Sequence, residues 1–301
     1  MGSLAMHQPL PTLGFPRAEI LYDSIVAQTR DAVVAAGFSE LTLGLSGGLD
    51  SALVAAIAVD ALALEALPST QIHGIIMPSC WTSEQSIVDA RELATRLEIQ
   101  TQTLDIMPSF DALTATLAPV FGKRESDHSE ENIQARIRAV LLMALSNKFD
   151  WLVLSTTNLS ESSVGFTTLY GDMAGAFAPL APLYKSWVYE LAEMRNERAR
   201  KQGGVAVISD SILEKEPSAE LAPNQTDRKA LGSYEVLDAL LHAYLSLQDG
   251  IACEEIEFEN LVDLGFDKDY VVKTIKKVRG SAYKRLQACP GAVLPEELRQ
   301  L

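Results

Sequence analysis

The stretch Leu41-Thr-Leu-Gly-Leu-Ser-Gly-Gly-Leu-Asp-Ser51 decides the fold, because it predicts a strand, a glycine-rich turn and the start of a helix in direct succession. Leu41 to Leu45 is typical of a short buried strand, and the segment Ala52 to Leu67, which lacks glycine and proline, favours helix. Glycines in such a turn let backbone N–H groups approach a ligand, and the dipole of the following helix favours negative charge. The sequence therefore predicts an anion site in this turn.

The carboxylate of Asp50 narrows the choice of anion. It repels a bare phosphate but suits a polyphosphate that carries Mg²⁺, since magnesium usually takes one or two protein carboxylates together with phosphate oxygens. The spacing is not that of the Walker loop, because no Gly-Lys-Ser/Thr follows. Ser46-Gly-Gly-Leu-Asp-Ser51 instead resembles the pyrophosphate loop of ATP pyrophosphatases, which cleave ATP between its α and β phosphates. An ordinary surface turn is the competing interpretation, and the flanking strand and helix disfavour it.

Composition excludes several classes of protein. The 301 residues are 48% hydrophobic and 22% charged, which fits one large α/β domain or two small ones. The net charge of -15 argues against a nucleic-acid-binding surface. No apolar segment is long enough to span a membrane, and the amino terminus lacks a signal-peptide pattern. The three cysteines are odd in number and widely spaced, and they show neither a disulfide framework nor zinc-site spacing. We therefore expect a cytoplasmic protein with no membrane or nucleic-acid partner.

Strands and helices alternate along the first half of the chain. Strands are predicted at 41–45, 72–77, 99–106 and 151–154, and helices at 17–36, 52–67, 82–97, 108–120 and 127–147. Two of these helices begin with capping-box spacing, at Thr82 and at Asp127. This order predicts an α/β fold, a doubly wound parallel sheet flanked by helices. In such sheets ligands bind beyond the carboxyl ends of the strands, where 46–51 and 155–161 both lie.

The second half is predicted to be mainly helical. A helix over 185–202 precedes a loop-rich segment, 205–227, and the chain is helical from Ser233 onward. A loop of about twenty residues is usually functional or disordered. No linker separates independent units, so we expect one domain over 17–301, preceded by a flexible tail over 1–16.

Six further stretches resemble the NAD⁺ synthetase family when they are taken in order with the pyrophosphate loop. They are Glu131–Arg138, Thr156–Glu161, Gly165–Gly175, Tyr184-Lys185, Pro217–Leu221 and Tyr283–Gln287. The resemblance covers roughly Pro16 to Gly291 and is greatest to the synthetase domain of glutamine-dependent members. It implies an adenine nucleotide alpha-hydrolase-like fold with a helical carboxyl-terminal part. It also implies ATP-dependent amidation of deamido-NAD⁺ through an adenylate, with ammonia as nitrogen donor and with AMP and pyrophosphate as products.

The resemblance implies a role for each matching residue. ATP would contact Gly44, Leu45, Ser46, Gly47, Gly48, Leu49, Asp50, Ser51, Thr156, Lys185 and Ser218. Deamido-NAD⁺ would contact Asn132, Arg136, Glu161 and Lys284. The Mg²⁺ cofactor would be held by Asp50 and Glu161, and these two together with Lys185 are the candidate catalytic residues. Structural roles compete: Glu161 also suits a helix start, and Lys185 and Lys284 also suit a solvated surface.

The resemblance leaves the nitrogen source open. Glutamine-dependent members carry an amino-terminal glutaminase domain, and only about forty residues precede the loop here. We expect either use of free ammonia, a separate glutaminase as partner, or a fragment of a longer protein. The resemblance also implies a homodimer and a mobile loop around Ser218 that closes over the nucleotide.

Two other functions remain as alternatives. The first is another pyrophosphate-loop amidating ligase, such as one for GMP or asparagine synthesis, and the strings Tyr170-Gly-Asp172 and 217–221 disfavour it. The second is a non-catalytic nucleotide-binding subunit, which the intact Asp50, Glu161 and Lys185 disfavour.

Overall fold

The computed structural model describes residues 9–247 and 258–299. Its centre is a parallel sheet of four strands: β1 (Glu40–Gly44), β2 (Ile72–Ile76), β3 (Gln100–Thr103) and β4 (Trp151–Val153). The strand order is β3-β2-β1-β4, with Leu41 aligned to Ile72 on one side and to Leu152 on the other. The turn that leaves β1 therefore lies in the middle of the carboxyl edge of the sheet.

Helices surround this sheet throughout the described ranges. They are α1 (Gly14–Ala36), α2 (Leu49–Ala63), α3 (Glu84–Leu97), α4 (Met107–Phe121), α5 (His128–Phe149), α6 (Leu159–Ser163), α7 (Lys185–Lys201), α8 (Asp210–Glu214), α9 (Asp227–Leu231), α10 (Tyr234–Leu247), α11 (Phe258–Asp263), α12 (Lys268–Gly280) and α13 (Ala282–Arg285). Two short 3-10 turns cover Ser69–Gln71 and Glu296–Leu298. In this part of the chain, no helix combines the length and the apolar character needed to cross a bilayer.

The strands contribute to a core on each face of the sheet, because successive side chains of a strand point to opposite faces. Ile72 and Ile76 of β2 belong to the larger core, which also contains buried side chains of α1, α2 and α7. Ile75 belongs to a smaller core with side chains of α4 and α5. Helices thus cover both faces, and the predicted doubly wound α/β fold is confirmed. The helix α10 packs against α6 and α7 and so joins the second half of the chain to the first.

One predicted capping box is confirmed and the other begins one residue late. Asp127 caps α5, and the side chain of Glu130 accepts a hydrogen bond from the Asp127 backbone N–H at 2.9 Å. The cap of α3 is Ser83, whose side chain accepts from the N–H of Ser86, and not Thr82. The Thr82 hydroxyl is already engaged, because it accepts from the N–H of Ser79 at 3.0 Å.

The packed part of the chain begins earlier than predicted. Leu10 and Leu13 are buried, and the Trp187 indole donates to the carbonyl of Pro11 at 2.9 Å. Leu10, Pro11 and Leu13 are therefore packed against the rest of the protein, although the prediction placed them in a flexible tail, and residues 1–8 lie outside the described ranges. Cys80 and Cys289 are free thiols, and Cys253 lies outside the described residues.

Candidate active site

A cavity of about 310 Å³ opens beyond the carboxyl edge of the sheet. Its walls come from the ends of β1, β2 and β4, from α5, and from residues 215–221, which follow α8. Ten of the eleven predicted ATP-contacting residues line it: Gly44, Leu45, Ser46, Gly48, Leu49, Asp50, Ser51, Thr156, Lys185 and Ser218. Glu161 lines it as well, and Gly47 does not. The structure therefore brings together residues that lie up to about 170 positions apart in the chain.

The glycine-rich turn is held in shape by its own serines. The hydroxyls of Ser46 and Ser51 lie 3.1 Å apart, and Ser46 Oγ accepts from the N–H of Gly48 at 3.1 Å. Gly47 has φ +74°, and a Cβ there would lie 2.1 Å from the carbonyl oxygen of Ser86. Only glycine satisfies both restrictions. The turn thus presents the amino terminus of α2, with its unpaired N–H groups, to the cavity.

The side chain of Lys185 lies between two carboxylates. Its Nζ contacts Asp50 Oδ2 and lies 3.3 Å from Glu161 Oε1, and the lysine is only 3% exposed. Asn158 ties the two acids together, because its amide donates to Asp50 Oδ1 at 3.1 Å while its oxygen accepts from the N–H of Glu161 at 3.0 Å. The interpretation of Lys185 as a solvated surface residue is therefore wrong.

The start of α7 fixes the position of this lysine. The backbone N–H of Lys185 donates to Ser160 Oγ at 2.8 Å, and Ser160 in turn donates to Asp238 of α10. Asp238 also accepts from the N–H of Ser186 at 2.8 Å and from its hydroxyl at 2.7 Å. A carboxylate at a helix amino terminus satisfies free N–H groups and complements the dipole. The cation can therefore stay at the first position of a helix, where the dipole alone would disfavour it.

Carboxylates outnumber cations in this cluster. The hydroxyl of Tyr234 lies 2.9 Å from both Glu161 Oε1 and Asp227 Oδ2, which adds a third acid to the pair around Lys185. Burial disfavours the ammonium of Lys185, but Asp50 and Glu161 outweigh burial and raise its pKa. Burial also raises the pKa of Glu161, and the positive charge of Lys185 opposes that rise. The cluster therefore favours an additional cation.

The donor set of the cluster fits magnesium bound to a polyphosphate. Asp50 and Glu161 contact the same ammonium, so their oxygens converge on one point beside the anion-binding turn. Within the described ranges, no group of three or more His, Cys, Asp or Glu side chains has the arrangement of a complete metal site. Mg²⁺ usually takes only one or two carboxylates and completes its shell with phosphate oxygens and water, so a pair of acids is sufficient.

The segment between α8 and α9 reaches across to the glycine-rich turn. Lys215 Nζ donates to the carbonyl of Gly47 and to Ser86 Oγ, both at 3.0 Å, and lies 2.8 Å from Asp89 Oδ2. Glu220 Oε1 accepts from the hydroxyl of Ser86 at 2.8 Å. Sequence reasoning missed Lys215, although a single basic residue just before the Pro217–Leu221 string was the available signal. We define residues 205–227 as the lid segment.

Three of the four residues predicted to contact deamido-NAD⁺ hold one loop in place. Asn132 Oδ1 accepts from the hydroxyl of Thr168 at 2.6 Å, and Arg136 Nε donates to the carbonyl of Leu169 at 3.2 Å. Lys284 Nζ donates to the carbonyls of Gly165 and Thr167 at 2.8 and 2.6 Å. None of the three lines the cavity, whereas the fourth residue, Glu161, does.

Sequence reasoning missed two further residues, one that lines the cavity and one that contacts Glu161. Arg138 lines the cavity from α5, where its Nε donates to the carbonyl of Met77 at 3.0 Å. Burial lowers the pKa of Arg138 to about 10, so the guanidinium remains a cation at neutral pH. Tyr234 contacts Glu161 from α10. Arg138 closes the matched string 131–138, which was its signal, whereas Tyr234 lay in no motif.

A model of the family described as NAD synthase matches residues 21–288. The glutamine-dependent NAD(+) synthetase of Thermotoga maritima is 44% identical over 283 residues, which are 94% of this chain and 46% of that protein. The corresponding protein of Acinetobacter baylyi is 44% identical over 271 residues, which are 90% of this chain and 47% of that protein. The chain therefore spans about half the length of the curated relatives it matches.

Solved structures show the same similarity. A glutamine-dependent NAD+ synthetase from Acinetobacter baumannii, in complex with adenosine diphosphate, is 39% identical with a TM-score of 0.63 and covers 96% of this chain and 48% of its own. An NMN synthetase from Francisella tularensis is 27% identical with a TM-score of 0.68, and the match covers 93% of this chain and 98% of that one. An NH3-dependent NAD synthetase from Campylobacter jejuni is 25% identical with a TM-score of 0.68, and the match covers 93% of this chain and 97% of that one.

Proposed function

The chain belongs to the NAD synthase family, and we propose that it converts deamido-NAD⁺ to NAD⁺ with ATP and ammonia, releasing AMP and pyrophosphate. The observation that carries the proposal is the contact of Lys185 with both Asp50 and Glu161 beside the glycine-rich turn. The cavity combines an anion site, a buried cation and surplus carboxylates. This combination suits a reaction in which a nucleoside triphosphate is bound and then cleaved.

In the proposed first step, the nicotinate carboxylate of deamido-NAD⁺ attacks the α-phosphorus of ATP. The bond to the β-phosphate oxygen breaks, pyrophosphate leaves, and an adenylate forms. The backbone N–H groups at the start of α2 bind the leaving pyrophosphate, and the Lys185 ammonium stabilises the negative charge that develops on it. Arg138 adds a second, half-buried cation to the same cavity. Such catalysis depends on alignment and charge stabilisation and needs no protein nucleophile.

In the proposed second step, ammonia attacks the carbonyl carbon of the adenylate and AMP leaves. The attacking nitrogen loses a proton, and the surplus carboxylates around Lys185 provide acceptors for it. An adenylate hydrolyses if water reaches it, so the lid segment has to keep water out. Lys215 and Glu220 connect this segment to residues beside the turn.

We also propose magnesium as the cofactor, with Asp50 and Glu161 as its protein ligands. When bound, the ion would neutralise phosphate charge and orient the β and γ phosphates. We propose that Asn132, Arg136 and Lys284 contact deamido-NAD⁺ beside the loop that they hold. We further propose that the protein is a cytoplasmic homodimer. Its ammonia would come from solution or from a glutaminase.

An assay of products tests the proposal directly. Purified chain is incubated with ATP, Mg²⁺, deamido-NAD⁺ and either ammonium or glutamine, and NAD⁺, AMP and pyrophosphate are quantified. We expect equal amounts of the three products with ammonium. ADP and inorganic phosphate as products would overturn the assignment to cleavage between the α and β phosphates. NAD⁺ formation with glutamine, in ammonia-free solution, would overturn the expectation that this chain alone uses ammonia.

The similarity to an NMN synthetase suggests a second substrate for the same assay. Nicotinic acid mononucleotide carries the same nicotinate carboxylate as deamido-NAD⁺ and lacks only the adenylyl half. We expect a higher kcat/KM with deamido-NAD⁺. A higher value with the mononucleotide would replace the proposed substrate and leave the reaction type unchanged.

A further inference from the structure

A second cavity is lined by Arg228 to Leu231 of α9, the helix whose first residue, Asp227, lines the candidate active site. It has a volume of about 240 Å³ and lies between α9, the turn at Gly232 and one face of α12. A cavity needs roughly 10–15 Å³ of such volume to hold one water molecule, so this cavity has room for an ion of several atoms. None of the predicted site residues lines it.

The side chains around this cavity are positively charged. Arg228 and Lys229 come from α9, and Lys273 and Lys277 come from α12. No aspartate or glutamate is among the described residues that line it. The whole chain has a net charge of -15, so four cations without a lining acid are a marked local exception.

Among the residues that the structure describes, none forms an ion pair with Arg228, Lys229, Lys273 or Lys277. Lys229 Nζ donates to the backbone carbonyl of Asn224 at 2.6 Å, and Lys277 Nζ donates to that of Ala230 at 3.1 Å. Lys273 and Lys277 are four residues apart on one helix, where like charges repel each other. Burial lowers the pKa of Lys277, and the charge of Lys273 lowers it further. An anion between the two helices would offset the repulsion between Lys273 and Lys277 and would favour the charged form of Lys277.

A hydrogen bond and a close packing contact join the two walls of the cavity. The hydroxyl of Tyr270 donates to the carbonyl of Leu231 at 2.7 Å, which ties α12 to the end of α9. Gly232 has φ +85°, and a Cβ there would lie 3.3 Å from the Tyr270 ring. The close approach of this turn to the ring keeps the two helices at a set separation. Little reorganisation is therefore needed when an ion binds.

We propose that this cavity is a binding site for a phosphate group, separate from the candidate active site. Arg228 offers the planar donor fork that matches phosphate oxygens, and the lysines act as point charges. The neighbour of Arg228 in the chain is Asp227, which lines the active-site cavity and contacts Tyr234. A phosphate in the second cavity would therefore hold α9 at the point where the lid segment ends.

Acetylation of lysines, read by mass spectrometry, tests this proposal one residue at a time. The reagent attacks the neutral amine, so a bound anion slows the reaction by shielding the amine and by raising its pKa. Wild-type protein is treated with and without inorganic phosphate at constant ionic strength, adjusted with potassium chloride. Lys276 is the internal control, because it is exposed on the same helix but does not line the cavity.

We expect saturating phosphate to slow acetylation of Lys273 and Lys277 about fivefold or more, since charge-assisted hydrogen bonds hold the protonated amine. Lys276 should change less than twofold. The variant Arg228→Gln should lose the protection, whereas Lys276→Gln should keep it. Equal protection of Lys273 and Lys276, no protection at all, or full protection in Arg228→Gln would each overturn the proposal.

A second arm identifies the source of the phosphate group. Adenosine monophosphate replaces inorganic phosphate at the same concentration, and protection of Lys273 is compared. Equal protection shows that the phosphate group alone is recognised, and stronger protection by the nucleotide shows that its remainder contributes. Protection by neither compound contradicts the proposal, whatever the outcome of the product assay.

Discussion

The carboxyl and amino edges of the central sheet both hold polar side chains, but they arrange these groups in different ways. At the amino edge, Glu40 Oε2 lies 2.7 Å from His73 Nε2 and accepts from the Trp151 indole at 2.9 Å. The rings of His73 and Trp151 stack with centroids 3.6 Å apart. At the carboxyl edge, by contrast, Lys185 is shared by Asp50 and Glu161, with a third acid nearby.

The difference separates polar groups that stabilise the fold from polar groups that are kept for a ligand. Buried polar groups are normally paired, and a cluster whose charges do not balance has to be stabilised by other parts of the structure. Perturbed acids and bases in a cavity are therefore candidates for function. The comparison predicts that substitutions at the carboxyl edge change activity most and that substitutions at the amino edge change only stability.

Asp50→Asn should have the largest effect on activity. Asparagine keeps the shape and the contact with Asn158 but removes the negative charge that we assign to magnesium binding. The loss of charge stabilisation in the transition state should cost on the order of several kcal/mol of barrier. The measurement is kcat for NAD⁺ formation at saturating Mg²⁺. Asp111→Asn, on the exposed face of α4, is the matched control. Near-normal kcat in Asp50→Asn would show that Asp50 is not a ligand.

Lys185→Met should lower stability in a pH-dependent way. Removal of one partner from a buried ion pair typically costs about 3–5 kcal/mol, because the other charge stays buried. Burial raises the folded-state pKa of Glu161, so the folded protein holds this proton more tightly than the unfolded chain does. The free energy of unfolding therefore falls as the pH rises above the ordinary carboxyl range. Without the lysine this loss becomes larger. The deficit relative to wild type should therefore be greater at pH 8 than at pH 5.

Urea unfolding at the two pH values measures this deficit. Lys201→Met serves as the control, because Lys201 is an exposed residue of the same helix whose ion pair lies on the surface. A deficit that is independent of pH would mean that the effect comes from packing and not from the uncompensated carboxylates.

Lys215→Met should loosen the lid segment. The substitution removes the ion pair with Asp89 and the hydrogen bond to the Gly47 carbonyl, and hydrogen bonds to charged groups contribute about 1.5–3 kcal/mol each. Cleavage within 205–227 by subtilisin should be faster than in wild type without nucleotide. ATP with deamido-NAD⁺ should slow cleavage in both proteins.

A control for the lid experiment is Lys123→Met, since Lys123 lies on an exposed loop outside the cavity. Equal cleavage of Lys215→Met and wild type in the absence of nucleotide would show that Lys215 does not hold the segment. Equal cleavage of wild type with and without nucleotide would contradict its role as a lid.

The sequence was sufficient to predict features that depend on near neighbours in the chain. The strand, turn and helix around 41–63 and the cap at Asp127 follow from local patterns, and the doubly wound sheet follows from the order of elements. Recognition of the family located Asp50, Glu161 and Lys185. The contacts of Tyr234 and Lys215 do not follow from local patterns, because each joins elements more than seventy residues apart and depends on how they pack. The position of Lys215 beside the 217–221 string marked it as a candidate but not its partners.

Glu40→Gln should have the smallest effect, and it tests the other half of the comparison. The amide oxygen can still accept one of the two hydrogen bonds, from His73 or Trp151, so the expected loss of stability is about 1 kcal/mol. Activity per folded molecule should not change, because these groups lie at the edge opposite the cavity. Glu65→Gln is a matched control: the Glu65 side chain is also 40% exposed, but its ion pair with Arg30 is longer, at 3.6 Å. Thermal unfolding and kcat are measured for both variants. A fall in kcat for Glu40→Gln without unfolding would show that the two edges are coupled.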